Sequence, residues 1–368
     1  MSLSSRLPDF PWDTLAGAKQ RAHSHPDGVV DLSVGTPVDP APDVAQAALS
    51  GAADAHGYPT VWGTPELRQA ILAHLRHRWN SVELPETGVL PVIGTKWLVA
   101  MLPTLLDLGA DDVVVIPTTA YPTYLVGAQM TRSRVVTCDD PAGLPAAGGA
   151  GTPALIWVNS PGNPTGAVMS TERMQAWIDY ARSVGAVLAS DECYGEFVYE
   201  GQARSMLDRD LNGDDATGLL VAMSFSKESN LAGYRAGYVA GDPALVSELL
   251  LSAKHLGMML PTPVQQAMVA VLGDRAHVAA QRERYRARRD VLRAALVGAG
   301  FRIDNSEGSL YLWATRDEPC RDTVDWLAER GILVAPGDFY GEAGARHVRV
   351  GLTASDERIA AAAQRLRD

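Results

Sequence analysis

Residues 219–238 read LLVAMSFSKESNLAGYRAGY. An almost unbroken apolar run, Leu219–Met223, ends on two serines two places apart and a lysine, Ser224-Phe-Ser226-Lys227. The same order, a short apolar run and then a polar set, occurs elsewhere in the chain. Val89–Ile93 runs into Gly94-Thr95-Lys96, and Val113–Ile116 into Pro117 and then Tyr121. Ala154–Val158 meets Asn159-Ser-Pro-Gly-Asn163, and Ala186–Ala189 meets Ser190-Asp191. Runs this short, rich in β-branched residues and not alternating, predict strands buried on both faces. Helical spacing in Glu66–Trp79, Trp97–Leu108 and Thr171–Val184 lies among them. Strands alternating with helices predict an α/β fold, a mainly parallel sheet sandwiched by helices. Ligands of such sheets bind outside the carboxyl ends of the strands, which is where the five polar sets converge.

The rest of the chain bounds this reading. With 368 residues, 46% hydrophobic and 20% charged, the composition is that of a folded protein with a sizeable core. A net charge of −11 argues against a nucleic-acid backbone as the main partner. The basic run Arg282–Arg293, broken by Glu283 and Asp290, predicts a solvated helix face. Three scattered cysteines suit neither a disulfide framework nor a metal site, so no metal is expected. No apolar stretch approaches the roughly 18 residues of a membrane span, and the N-terminus has no signal-like core. A reducing cytoplasm is the expected location.

Val29–Val34 reads as a short strand, and Asp140–Pro153 as a surface loop into which no strand runs directly. Beyond 255 the pattern changes. Residues 263–298 are largely helical, with one long connector from about 276; short strands and two helices follow. The expected organisation is a large domain over 36–275 and a smaller α+β domain from 1–35 and 276–368.

The polar sets imply particular chemistry. Gly94-Thr95-Lys96 at a strand-to-helix turn offers a phosphate seat. Ser224, Ser226 and Arg235 can close on the same phosphate. The absence of GxxxxGK[ST] disfavours a nucleoside triphosphate; a small phosphorylated cofactor fits better. Lys227 is a candidate Schiff-base former, and its amine must then be neutral, far below its usual ~10.4. Asp191 is placed to hold a pyridinium nitrogen protonated, making the ring an electron sink. Tyr121 can stack on such a ring; Asn163 and Tyr194 can bond its phenolic oxygen.

At these residues the sequence resembles the fold-type I, pyridoxal-phosphate-dependent aminotransferases of class I/II. Asn163-Pro-Thr-Gly166, Asp191-Glu-Cys-Tyr194 and Ser224-Phe-Ser-Lys227 with Gly233-Tyr-Arg-Ala-Gly237-Tyr238 carry the resemblance. It implies pyridoxal 5′-phosphate as cofactor, Lys227 as its covalent lysine, and Asp191 and Tyr194 as catalytic partners. Cofactor contacts are further implied for Thr95, Lys96, Tyr121, Asn163, Ser224, Ser226 and Arg235. Tyr58, ahead of Gly63-Thr-Pro-Glu-Leu-Arg68, matches a tyrosine that reaches the phosphate of a second subunit, which implies a homodimer. Val334-Ala-Pro-Gly337 and His347-Val-Arg349 match the segment whose arginine holds the substrate α-carboxylate. Gly35 and Asn163 complete the implied substrate contacts. Trp97 departs from the family, where Glu or Gln often follows the phosphate turn.

A finer resemblance lies in Leu7-Pro-Asp-Phe-Pro-Trp12 and His25–Pro40, similar to bacterial N-succinyldiaminopimelate aminotransferases. It implies amino transfer between glutamate and N-succinyl-2-amino-6-oxopimelate, in diaminopimelate and lysine synthesis. An aminotransferase of aspartate or aromatic type, or a C–S β-lyase on the same cofactor, remains open. A transcription regulator would need a DNA-binding module for which the residues before Gly35 are too few. A nicotinamide dehydrogenase would need a glycine fingerprint that is missing. Lys254 is a weak candidate for a distal carboxylate and reads more simply as a solvated helix lysine.

Overall fold

Each apolar run of the sequence becomes a strand in the computed structural model, which describes residues 3–367 apart from Ala147 and Ala150. Met1, Ser2, Ala147, Ala150 and Asp368 lie outside the described residues. With them go the outermost ends of the 1–35 and 276–368 segments and two positions of the 140–153 loop. The first strand, β1 (Val30–Asp31), is shorter than its apolar surroundings and pairs in parallel with Ile332–Leu333. Then β2 (Val89–Val92), β3 (Val113–Ile116), β4 (Arg134–Thr137), β5 (Leu155–Asn159), β6 (Val187–Asp191), β7 (Leu219–Ser224) and β8 (Gly237–Gly241) build one sheet. Its order is β2-β8-β7-β6-β5-β3-β4.

The runs lack alternation because helices cover both faces. Val113, Val115, Ile156, Val158 and Val221 pack into one apolar cluster. Their neighbours Val114, Ile116, Leu155, Trp157 and Leu220 pack into another on the opposite face. Side chains point alternately up and down a strand, so each run is apolar throughout.

The mainly parallel sheet expected from the sequence forms, with one strand reversed. The sheet is parallel except for β8, which runs antiparallel between β2 and β7. Glycine at 237 permits close approach of the two strands: a Cβ there would lie 2.8 Å from the Met223 carbonyl oxygen. And β4 ends three residues before Asp140, so a strand does lead towards the 140–153 loop. As a largely exposed edge strand, Arg134-Val-Val-Thr137 lacks the apolar run that marks the others.

Two of the three predicted helices form with their capping signals in place; the third, expected over Trp97–Leu108, runs over Thr95–Leu105 and has no side-chain cap. In Pro65–Trp79, Thr64 Oγ1 accepts from the Leu67 N–H at 3.2 Å and left-handed Asn80 ends the helix. Ser170 and Gly185 bracket Thr171–Val184 in the same way. Residues 263–298 resolve into two helices, Thr262–Gly273 and the connector Ala276–Gly298. The basic run on that connector is not simply a solvated face. Arg288 is buried and grips Asp39 through two hydrogen bonds of 2.7 and 2.8 Å, and buried Arg289 donates to the Ser306 carbonyl. Among the described residues no helix is long and apolar enough to cross a membrane.

Beyond the connector, β9 (Arg302–Asp304), β10 (Tyr311–Thr315), β11 (Ile332–Leu333), β12 (Ala335–Pro336) and β13 (Val348–Gly351) follow. Four of them form an antiparallel sheet, β12-β13-β10-β9. Leu15, Ala22, Val30 and Leu32 share an apolar cluster with Leu312, Leu327, Leu333 and Val350. The two ends of the chain therefore pack together, and they bring β13 over the carboxyl edge of the large sheet.

Candidate active site

Carboxyl ends of β2, β5, β6 and β7 open onto a cavity of about 520 Å³. Thr95, Lys96, Tyr121, Asn163, Asp191, Tyr194, Ser224, Ser226, Lys227 and Arg235 all line it, and Gly35 and Arg349 enclose it from the other side. Among the sequence-predicted site residues Tyr58 stands apart: it is 95% exposed and lines no part of the cavity of its own chain. Lys254 is likewise exposed and away from the cavity.

The floor is built from strand ends. Asp191, the last residue of β6, is 6% exposed. Its Oδ2 accepts from the Tyr124 hydroxyl at 2.8 Å and its Oδ1 from the Cys193 N–H at 3.1 Å. Burial pushes its pKa up, against the lowering effect of these hydrogen bonds. Among the described residues it has no ion-pair partner, so a cation placed here would be strongly held. Ser224 closes β7, and its Oγ accepts from the Ser226 N–H at 3.2 Å, which orders the turn Phe225–Glu228. Lys227, on that turn, donates from Nζ to the Gly35 carbonyl. Burial depresses its pKa, and the Arg349 and Arg235 cations add to this. A neutral amine is therefore favoured at this position more than on a surface lysine.

Arg235 has left-handed backbone geometry (φ 56°) and bonds the Ala232 carbonyl at 2.8 Å. Its guanidinium lies across Gly94, where a Cβ would fall 2.3 Å from Nη2. Only glycine leaves room there, and the first turn of helix Thr95–Leu105 starts beside it. Lys96, at the mouth, is exposed, with Nζ 5.9 Å from the Phe10 ring centre.

The roof comes from the chain ends. Arg349, on β13, is 3% exposed. It donates to Asn163 Oδ1 at 2.9 Å and to the Ser33 carbonyl at 2.7 Å, and its guanidinium carbon lies 4.0 Å from the Tyr311 ring centre. Its Nε is buried without a hydrogen-bond partner. Tyr194 and Tyr311 share a 3.1 Å hydroxyl contact. Burial raises the Tyr194 phenol; for Tyr311 the same burial is outweighed by Arg349 and Lys227, which leaves its pKa lowered.

Sequence reasoning missed Tyr124, Cys193, Trp12 and Tyr311. Cys193 donates to Thr95 Oγ1 at 3.2 Å, linking two walls. Tyr124 stacks on Trp157 with ring centres 5.0 Å apart while holding Asp191. Tyr121 precedes the helix Thr123–Thr131 that carries Tyr124, and the two rings meet edge-on with centres 5.8 Å apart.

The donor set fits a phosphorylated pyridine aldehyde. An amine with depressed basicity faces the cavity, a buried carboxylate lacks a cation, and a cradle at Gly94 lies under a guanidinium. Another guanidinium, that of buried Arg349, keeps an unpartnered donor suited to a carboxylate.

Comparison with known proteins agrees. Residues 27–366 match the model of the family described as aminotransferase class I and II. The chain is 55% identical over 364 residues to a probable aminotransferase of Mycobacterium tuberculosis, covering 99% of this chain and 86% of that one. It is 52% identical over 360 residues to a 4-dedimethylamino-4-oxo-anhydrotetracycline transaminase of Streptomyces rimosus, covering 98% and 99%. A solved structure of a probable N-succinyldiaminopimelate aminotransferase from Thermus thermophilus matches with a TM-score of 0.87 at 27% identity, over 97% of this chain and 99% of that one. Members of the matched family use pyridoxal 5′-phosphate. Site chemistry, fold and sequence converge: this chain belongs to the class I and II aminotransferases.

Proposed function

We propose that the enzyme moves an amino group between glutamate/2-oxoglutarate and N-succinyl-2-amino-6-oxopimelate/N-succinyl-LL-2,6-diaminopimelate. One observation carries this reading. The N-terminal stretches that resemble N-succinyldiaminopimelate aminotransferases also line the cavity, through Trp12, Val34, Gly35 and Thr36. The name of the Thermus thermophilus structure supports the same choice. A bulkier ketone is the second reading, favoured by the extent of identity to the Streptomyces rimosus transaminase.

In this proposal Arg235, Ser224, Ser226 and the Thr95 turn hold the cofactor phosphate, Asp191 the ring nitrogen, and Asn163 and Tyr194 the phenolic oxygen. The bound cofactor supplies an electron sink for the pair left when the substrate Cα–H bond breaks. Arg349 grips the α-carboxylate through its fork of donors, which fixes which bond at Cα faces Lys227. The neutral Lys227 amine then takes the Cα proton as general base. Tyr121 packs beside the ring, and the aromatic roof excludes water.

The proposal also divides the chain into a large domain over 36–275 and a small one from 1–35 and 276–368. It further makes the active unit a homodimer. Exposed Tyr58 and an apolar groove lined by Leu49, Trp97, Tyr234, Leu260 and Val264, continuous with Lys96 and Arg235 at the cavity rim, support a second copy here.

Steady-state kinetics with glutamate and a panel of 2-oxo acids test the substrate reading. The succinylated oxopimelate is expected to give the highest kcat/KM. Equal values for acceptors with and without the succinyl group, or a preference for a polycyclic ketone, would reject it. Pyruvate released from a thioether amino acid would instead support a β-lyase.

A further inference from the structure

Behind Lys227, on the side away from the cavity, lies a charged cluster for which the proposed chemistry has no use. Glu228, the next residue, has a largely buried side chain; Arg275 Nη1 reaches its Oε1 at 3.3 Å. Arg275 Nη2 donates to Oε1 of Glu196, whose side chain is only 7% exposed. Arg78 Nε donates to the other Glu196 oxygen at 3.0 Å. His74 accepts at Nε2 from the Trp79 indole at 3.2 Å and so is neutral on the side facing Glu196. Arg275 thus bridges two carboxylates that would otherwise face each other half out of water.

Position in the chain gives this bridge its meaning. Glu228 ends the turn that carries Lys227. Glu196 stands two residues after Tyr194, in the loop that leaves β6. Arg275 occupies the N-cap of the connector Ala276–Gly298, at its junction with helix Thr262–Gly273. That connector leads to β10 and β13, which hold Tyr311 and Arg349 over the cavity. One guanidinium therefore ties together the lysine turn, the tyrosine loop and the helix that leads to the roof.

We propose that Arg275 is a positioning residue: its bridge from Glu228 to Glu196 holds Lys227 in register with Tyr194 and with the helix leading to the Arg349 sheet. A surface ion pair would contribute little. Here the removal of one partner strands largely buried carboxylates. Burial raises the Glu228 pKa to about 7; Arg275 counters this and Glu196 reinforces it. Without Arg275 the turn can relieve the strain by taking up a proton or by swinging Glu228 towards water, and either displaces Lys227.

The inference rests on the aminotransferase reading but not on the identity of the acceptor. Its test is the pH titration of the absorbance of the lysine-bound cofactor, which needs no substrate, together with kcat and KM for glutamate. Arg275→Ala should shift the titration midpoint and lower kcat at least about tenfold, with little change in KM. Arg275→Lys, which keeps the charge but loses the fork, should recover part of both. Glu228→Gln, close in shape, should shift the midpoint in its own right, and the Arg275→Ala/Glu228→Gln double variant should be no worse than the worse single one. This variant also answers the question if Arg275→Ala fails to fold. An unchanged midpoint and kcat in folded Arg275→Ala or in Glu228→Gln would overturn the proposal. So would additive losses in the double variant, or losses in kcat that follow a lowered melting temperature while the midpoint stays fixed.

Discussion

Floor and roof of the cavity are held by different physics. The floor consists of single polar residues at the ends of strands buried on both faces, so the large sheet fixes their backbone. Asp191 and Ser224 are the last residues of β6 and β7, and Lys227 follows on a turn tied to Ser224. The roof is a guanidinium on the antiparallel sheet, stacked on Tyr311 and bonded to Asn163 of the floor and to Ser33 of the N-terminal segment. It therefore depends on packing between parts of the chain more than 300 residues apart in sequence. The difference suggests a division of labour. In the proposed function the groups that act on the cofactor stand on the rigid sheet, and the carboxylate grip, used in both half-reactions, arrives on a separate element.

Substitutions can break or sharpen this contrast. The largest effect is expected for Lys227→Ala, which removes the amine proposed to take the Cα proton. Turnover should fall by ~10³-fold or more, the scale of removing a residue at the centre of the chemistry. Borohydride should no longer fix the cofactor to the protein, while the melting temperature stays close to wild type. A borohydride-stable link in that variant would place the lysine elsewhere.

Asp191→Asn keeps the shape and removes the charge. A hydrogen bond to a charged group is worth ~1.5–3 kcal/mol, so kcat should drop about ten- to hundredfold in either direction of transfer. Wild-type turnover would mean that the floor does not act on the ring nitrogen. Tyr124→Phe should do less, about threefold, because it removes one of two hydrogen bonds to Asp191. Since the lost bond favoured the carboxylate, the Asp191 pKa should rise further, detectable by NMR in the apoprotein; a fall would contradict the geometry.

The mildest effect concerns pH. His74, beneath the floor, has its pKa lowered to about 3, first by burial and then by the Arg275 and Arg78 cations. Between there and the ordinary 6.5 the unfolded chain binds a proton that the folded one refuses, so stability falls as pH drops through this window. Denaturant titrations should show a shallower loss in His74→Gln. An identical slope would remove His74 from the account.

How much of this was legible in the sequence follows the same division. Asp191, Ser224, Lys227 and Asn163 were readable because a strand end is a local event: an apolar run stops and a polar residue follows. The strand β8 was not, because Gly237 and Gly241 look like punctuation until the carbonyls they pass are known. The edge strand β4 was not, because three of its four residues are exposed. Tyr124 reaches Asp191 across 67 residues, and Arg288 reaches Asp39 across 249. No periodicity within one segment encodes either pairing. Arg349 was readable only through resemblance; nothing in His347-Val-Arg349 itself says that a strand will carry the guanidinium over a distant sheet.

The central claim is that one roof cation serves every substrate while the floor performs the chemistry. Single-turnover measurements on Arg349→Lys test it most directly, following cofactor absorbance separately with glutamate and with the oxo-acid acceptor. Lysine offers a point charge in place of two parallel hydrogen bonds. Both half-reactions should slow by a similar factor, chiefly through weaker binding. Loss confined to one half-reaction, or to neither, would contradict it.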